Sequence, residues 1–373
     1  MSLAYGAVVL DTSIYEKYNY EFYSGVLKMM QQFKNSGVDF LIPYIVKKEV
    51  VDHLSNKVKK AADSALFLSK YWKNVCGVPQ SGDLKGSESL FEDDYLEQAD
   101  RIFESYAQDC GALSFECDGY CKIRDVFEAY FENGYPFSVK KKSEFPDAVV
   151  LFSLVEYAKN NDVNIIVVSR DNDWKTFCED KEQLKFLDDL RCALSLFNSQ
   201  DERVIEKLNN SFGEESEFYG KLYRKIEDEL SVICLDIQID GPSRIENLGQ
   251  HLILNNFNFD DEDTKITDIN KKEKSVSYSL YGEAMITVAC DVGFYTHDYI
   301  DDDDVSLGGR TLEVEIKSPV VFDVESICEF ETGGISLNIE NLSVDIDLPG
   351  EIDFGYVSPY EDYYSESEYG VEE

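Results

Sequence analysis

The chain has 373 residues, 43% hydrophobic and 29% charged, enough to bury a core and too long for one average domain. It has no run of 18 apolar residues, which excludes a helical membrane span. The balance of 35 basic against 74 acidic side chains, −39 overall, disfavours nonspecific attraction to nucleic acid or to an anionic membrane.

That average conceals an asymmetry. Residues 1–200 carry 32 acidic and 23 basic side chains, net −9, whereas residues 201–373 carry 42 and 12, net −30. The first part can hold a local basic surface, and the second repels polyanions. Met1-Ser2-Leu3 opens without a basic n-region or a long apolar stretch, so no secretory signal is expected. Nine cysteines without an export signal fit free thiols in a reducing cytosol, and the expected localisation is cytoplasmic.

Tyr5 to Leu10 is a short apolar run that stops at Asp11-Thr12-Ser13, which reads as a buried strand followed by a helix start. From Tyr20 to Lys34, Phe22, Val26, Met29, Met30 and Phe33 share one helical face. Asp39 to Pro43 is a second strand closed by a proline, and a helix runs from Val46 to about Ala65. Residues 66–135 read as broken helical pieces. Pro146 suits the first turn of the next helix, which carries Val149, Val150, Phe152, Leu154, Val155 and Ala158. Asn164 to Ser169 is a wholly apolar strand, and residues 174–230 read as helical again. Strands alternating with helices predict a parallel sheet covered on both faces.

After Leu230 the pattern changes to alternation. Val232–Ile239, His251–Phe259, Ser275–Phe294, Arg310–Lys317 and Gly334–Leu348 predict an antiparallel β-rich domain, a sandwich or open barrel. The expected organisation is a parallel α/β domain at 1–200, a helical connector at 201–230, a β-rich regulatory or interaction domain at 231–349 and an acidic, tyrosine-rich tail at 350–373.

Four acids of the first part stand at strand ends or helix starts. Asp11 ends the first strand, Glu49 lies in the first turns after Pro43, Asp147 follows Pro146, and Asp171 and Asp173 follow the Ile165–Ser169 strand. In an open parallel sheet those ends converge on one crevice. Converging carboxylates either rise in pKa or are neutralised by a divalent cation, and oxygen ligands without His or Cys suit Mg²⁺ or Mn²⁺. Such an ion can activate water against a phosphodiester. Singly, Asp11, Asp147 and Asp171 also read as helix caps or first-turn acids.

These residues resemble the PIN-domain nucleases, in the branch with a long helical insertion between the second and third acids. The resembling segments are Val8–Ser13, Ile42–Val50, Phe145–Val149 and Ile166–Trp174, within residues 5–200. The resemblance implies a three-layer α/β/α parallel sheet, a Mg²⁺ or Mn²⁺ site and an endoribonuclease cutting single-stranded RNA by metal-activated water. It implies that Asp11, Glu49, Asp147 and Asp171 form the catalytic, metal-binding quartet, that Asp173 is a further ligand and that Ser13 is the small polar residue beside substrate. Trp174 stands where the family usually has Phe. The alternatives are a non-catalytic RNA- or protein-binding PIN-like module and a metal-dependent DNA nuclease, the latter ranked lower because no helix-hairpin-helix is evident.

Lys140, Lys141 and Lys142 precede Asp147 and are candidates for holding substrate phosphates, against the plain reading of a solvated turn. Cys110, Cys117 and Cys121 lack the paired spacing of structural zinc and read as free thiols. His53, four residues after Glu49, shares its helix face. Asp301 to Asp304 lacks the pattern of a calcium loop. The expected partners are single-stranded RNA, with DNA as the alternative, and a basic protein for the acidic C-terminal part. A homo-oligomer is left open, and no membrane is expected.

Overall fold

Runs of β-branched residues build the centre of the first unit. The computed structural model describes residues 5–34, 36–71, 75, 94–137, 144–198, 217–259, 263–270, 274–331 and 334–359. The chain divides into two compact units, Met1–Asn198 and Ser199–Glu373.

In the first unit, β1 (Tyr5–Leu10), β2 (Asp39–Pro43), β3 (Leu113–Phe115), β4 (Asn164–Val168) and β5 (Leu184–Leu187) form one sheet in the order β3-β2-β1-β4-β5. All four pairings are parallel. Consecutive residues of β1 and β4, such as Val8, Val9, Ile166 and Val167, are fully buried. Because successive strand residues face opposite ways, both sides of the sheet are covered. The cover comes from α1 (Thr12–Lys17), α2 (Gly25–Lys28), α3 (Tyr44–Tyr71) and α4 (Tyr95–Cys110), and, after α5 (Ile123–Glu132), which packs on α6 in a small cluster of its own, from α6 (Phe145–Asn161), α7 (Asn172–Glu179) and α8 (Leu190–Phe197). The chain leaves β1 toward β2 on one side and returns to β4 on the other, so the crevice opens at the C-terminal ends of β1 and β4.

Three local expectations need correction. The helix expected over residues 20–34 is broken into α2 and a 3₁₀ turn at Met29–Phe33, because Asn19, Tyr20 and Gly25 take positive φ of 49°, 60° and 58°. Its apolar residues Phe22, Val26, Met30 and Phe33 are buried all the same. β3 falls in a stretch read as helical pieces, and β5 in one read as continuous helix. Both are edge strands of three and four residues, too short for a period, and they form by pairing with β2 and β4.

The second unit begins with α9 (Glu217–Leu230), whose buried Leu222, Ile226 and Leu230 belong to the core with Phe257 and Phe322. Tyr219 stacks on Phe257 at 4.4 Å, and the Tyr219 hydroxyl donates to the Phe257 carbonyl at 3.1 Å. An antiparallel sheet follows in the order β11-β10-β9-β7, formed by β7 (Arg244–Phe259), β9 (Ser275–Asp298), β10 (Asp303–Glu331) and β11 (Gly334–Ile346), with β8 (Lys265–Asn270) also pairing β9. β12 (Glu351–Tyr356) pairs in parallel with β6 (Asp236–Asp240), so residues 351–356, expected as the start of a tail, form a strand instead. The sheet is open, not a closed barrel. Residues 360–373 of the expected tail lie outside the described residues.

Ile166 is fully buried on β4, the strand between β1 and β5, so truncating it leaves a cavity in the core on one face of the sheet. Ile166→Ala is expected to destabilise the first unit by about 2–5 kcal/mol. Urea unfolding should show a lowered midpoint at unchanged slope.

Candidate active site

Asp11 is the first residue beyond β1. Its extended backbone lets it cap α1, and Oδ1 accepts from the Thr12 N–H at 2.7 Å. Oδ2 accepts from the hydroxyls of Ser13 at 2.5 Å and Ser169 at 2.7 Å. Asp11 is therefore tied to the ends of both central strands. Burial pushes its pKa up, and these donors only partly oppose the shift.

Glu49 lies in the second turn of α3, and its Oε2 accepts from Thr12 Oγ1 at 2.8 Å. Its pKa is raised, first by burial and then by the charges of Asp11 and Glu144, while the Thr12 hydrogen bond and His53 oppose the shift. Asp147 opens α6 just after Pro146, whose fixed φ suits that turn. Its carboxyl is pushed up to about 8, chiefly by burial, then by a hydrogen bond with Glu144 and by repulsion from Asp11 and Glu49. A hydrogen bond from Trp174 works the other way.

The structure thus brings Asp11, Glu49 and Asp147 into one electrostatic cluster and adds Glu144. Sequence reasoning passed over Glu144, although it stands three residues before Asp147 at the cap of α6. Trp174 was noted as a departure from Phe. Its buried indole supplies the Asp147 carboxyl with a donor that a phenyl ring lacks.

Asp171 caps α7, accepting from the Asp173 N–H at 2.6 Å. Its own N–H donates to Ser169 Oγ at 3.0 Å, so it reaches Asp11 through that hydroxyl. Asp173 lies in the first turn of α7. Besides donating to Asp11, Ser13 Oγ accepts the Arg170 N–H at 3.1 Å, which closes the turn between β4 and α7 against α1. His53 Nδ1 pairs with Glu16 at 2.6 Å and is half-exposed. Cys110 and Cys117 are buried free thiols, and Cys121 is half-buried and free. In the second unit Asp304 pairs with Arg244 at 2.6 Å and His297 at 3.2 Å. Lys140, Lys141 and Lys142 lie outside the described residues.

Among the described residues no three His, Cys, Asp or Glu side chains are disposed to hold one ion as they stand. The donor chemistry nevertheless suits a hard divalent cation. Asp11 and Glu49 both raise the pKa of Asp147, Asp11 raises that of Glu49, and a cation would relieve this repulsion through oxygen ligands.

The family model for the PIN domain matches residues 8–174, from β1 to Trp174. The first unit is a PIN domain. PIN domains are generally nucleases, hydrolases of the phosphodiester bond, and typically use divalent metals. No curated protein and no solved structure matches the chain. Among the described residues no helix is long and apolar enough to cross a membrane.

The raised carboxyl of Asp147 has a consequence for stability. In the folded chain its carboxyl is pushed up to about 8, whereas in the unfolded chain it ionises near the ordinary aspartate value of 3.8. Unfolding therefore releases a proton between those limits, and the stability owed to this group is full below the lower limit and lost as pH rises toward 8. In chelator, the Tm of wild type should fall from pH 5 to pH 8 by more than that of Asp147→Asn, as measured by scanning fluorimetry.

Proposed function

We propose that the protein is a divalent-metal-dependent endoribonuclease acting on single-stranded RNA. The observation that carries this reading is the cluster of Asp11, Glu49 and Asp147 at the carboxyl ends of a parallel sheet, each pushed toward its protonated form by burial, and Glu49 and Asp147 also by the charge of neighbouring acids. In this proposal Asp11, Asp147 and Asp171 hold Mg²⁺ or Mn²⁺ directly or through water, Glu49 assists, and Asp173 is a secondary ligand. When bound, such an ion supplies Lewis acidity to the attacking water and offsets charge on the leaving oxygen.

The chain's own residues prepare that chemistry. The hydroxyls of Ser13 and Ser169 hold Oδ2 of Asp11 and the Thr12 N–H holds Oδ1, so both carboxylate oxygens are fixed. Thr12 fixes Glu49, and Trp174 fixes Asp147. Fixed oxygens cost little reorganisation when charge develops at the scissile phosphate. For the second part we propose a regulatory or protein-interaction role with a basic partner, on the strength of its net charge of −30 over residues 201–373.

The test is cleavage of single-stranded RNA in Mn²⁺ by wild type and by Asp11→Asn. Wild type should cleave, and Asp11→Asn should be slower by about 10²-fold or more. Equal rates would remove the mechanism. Inactivity of wild type on both RNA and single-stranded DNA would favour a binding module, and cutting of DNA alone would make the substrate DNA.

A further inference from the structure

A cleft of about 380 Å³ opens in the first unit beside the turn that follows β4. Its wall is made by Lys17 at the end of α1, by Arg170, Asn172 and Lys175 around the start of α7, and by Phe186, Asp188 and Asp189 on and after β5. Three cations line it although residues 1–200 are net negative, at −9.

These charges divide into a neutralised set and an available set. Lys17 pairs with Asp189 at 2.9 Å, and Asp189 also takes the Arg191 guanidinium at 3.4 Å and the Arg191 N–H at 2.7 Å. Burial opposes the charge of Asp189, but these cations outweigh it and hold its pKa below the usual carboxylate range. Among the described residues, Arg170 and Lys175 are exposed, and neither forms a side-chain ion pair. Both stand near the start of α7, on either side of its cap Asp171. Phe186 offers a half-buried ring on the same wall.

Cationic side chains beside an aromatic ring are what a single-stranded nucleotide needs, the first for its phosphate and the second for its base. Asp188 at the exit of β5 is exposed and acidic. It suits a donor, such as a ribose hydroxyl or a base amino group, and turns the phosphate toward Arg170. The cleft also adjoins the acids. The Arg170 N–H donates to Ser13 Oγ, which in turn donates to Asp11.

We propose that this cleft is a nucleotide subsite for single-stranded RNA, in which Arg170 and Lys175 hold the phosphate next to the scissile linkage and Phe186 stacks on the base. The proposal rests on reading the acidic crevice as a nuclease site, and it makes the path of the strand run from Asp11 across the β4–β5 side of the sheet.

The experiment measures anisotropy of a fluorescein-labelled oligouridylate with the full-length protein in chelator, so that binding is read without cleavage, across a salt series. Arg170→Ala/Lys175→Ala should weaken binding by about tenfold or more and flatten the log–log salt slope by about 1.4, the loss of two phosphate contacts on a single strand. Lys59→Ala/Lys60→Ala removes the same charge from exposed positions of α3 and should leave the slope near that of wild type. Phe186→Leu should weaken binding by about fivefold or more with the slope unchanged, since it removes stacking and no charge. Equal slopes for the two double variants, or no binding by wild type, would overturn the subsite. Because the readout needs no catalysis, a subsite that fails in an RNA-cleaving protein, and a subsite that binds RNA in an inactive one, are separate results.

Discussion

The burial of Asp11 between the ends of β1 and β4 is the constraint on which the first unit depends. A carboxylate at that depth is tolerated only because Thr12, Ser13 and Ser169 donate to it. Those donors come from the segments leaving both central strands, so the same hydrogen bonds that satisfy the acid also lock β1 to β4 at their exits. The geometry of the candidate site and that of the fold are here one set of contacts. Glu49 and Asp147 are then brought up by α3 and α6, whose starts are set by Pro43 at the end of β2 and Pro146 at the start of α6.

Around this point the first unit separates its charges. The acids gather where β1 and β4 end, whereas Arg170 and Lys175 face the cleft toward β5. In the proposed nuclease the basic side would draw a phosphodiester, and a cation would let it approach the acidic side. The overall charge of −39 hides this arrangement, because most of the excess lies in residues 201–373.

Much of the first unit was legible in the sequence. Val8-Val9-Leu10 and Ile165 to Val168 are apolar and β-branched with sharp polar stops, so β1 and β4 could be placed, and with them Asp11 and Asp171. Pro146 marked the start of α6 and hence the position of Asp147. Less visible was anything that depends on a neighbour. Leu113–Phe115 and Leu184–Leu187 are strands because β2 and β4 offer unpaired edges. Glu144 belongs to the cluster through space, from a cap position that has no periodicity of its own. In the second unit alternation announced strands, but β10 runs over Asp303–Glu331 where only Arg310–Lys317 alternates cleanly, since its pairing with β9 carries it through less regular residues.

The indole beside Asp147 has an optical meaning. The chain contains two tryptophans, and Trp174 is buried and hydrogen-bonded to the Asp147 carboxyl, whose pKa burial pushes up. The excited state of an indole is strongly dipolar, so a charge appearing or vanishing at its hydrogen-bond partner displaces its emission. The crevice therefore carries a built-in fluorophore, and the ionisation of its most perturbed acid is written in the colour of the protein's own fluorescence.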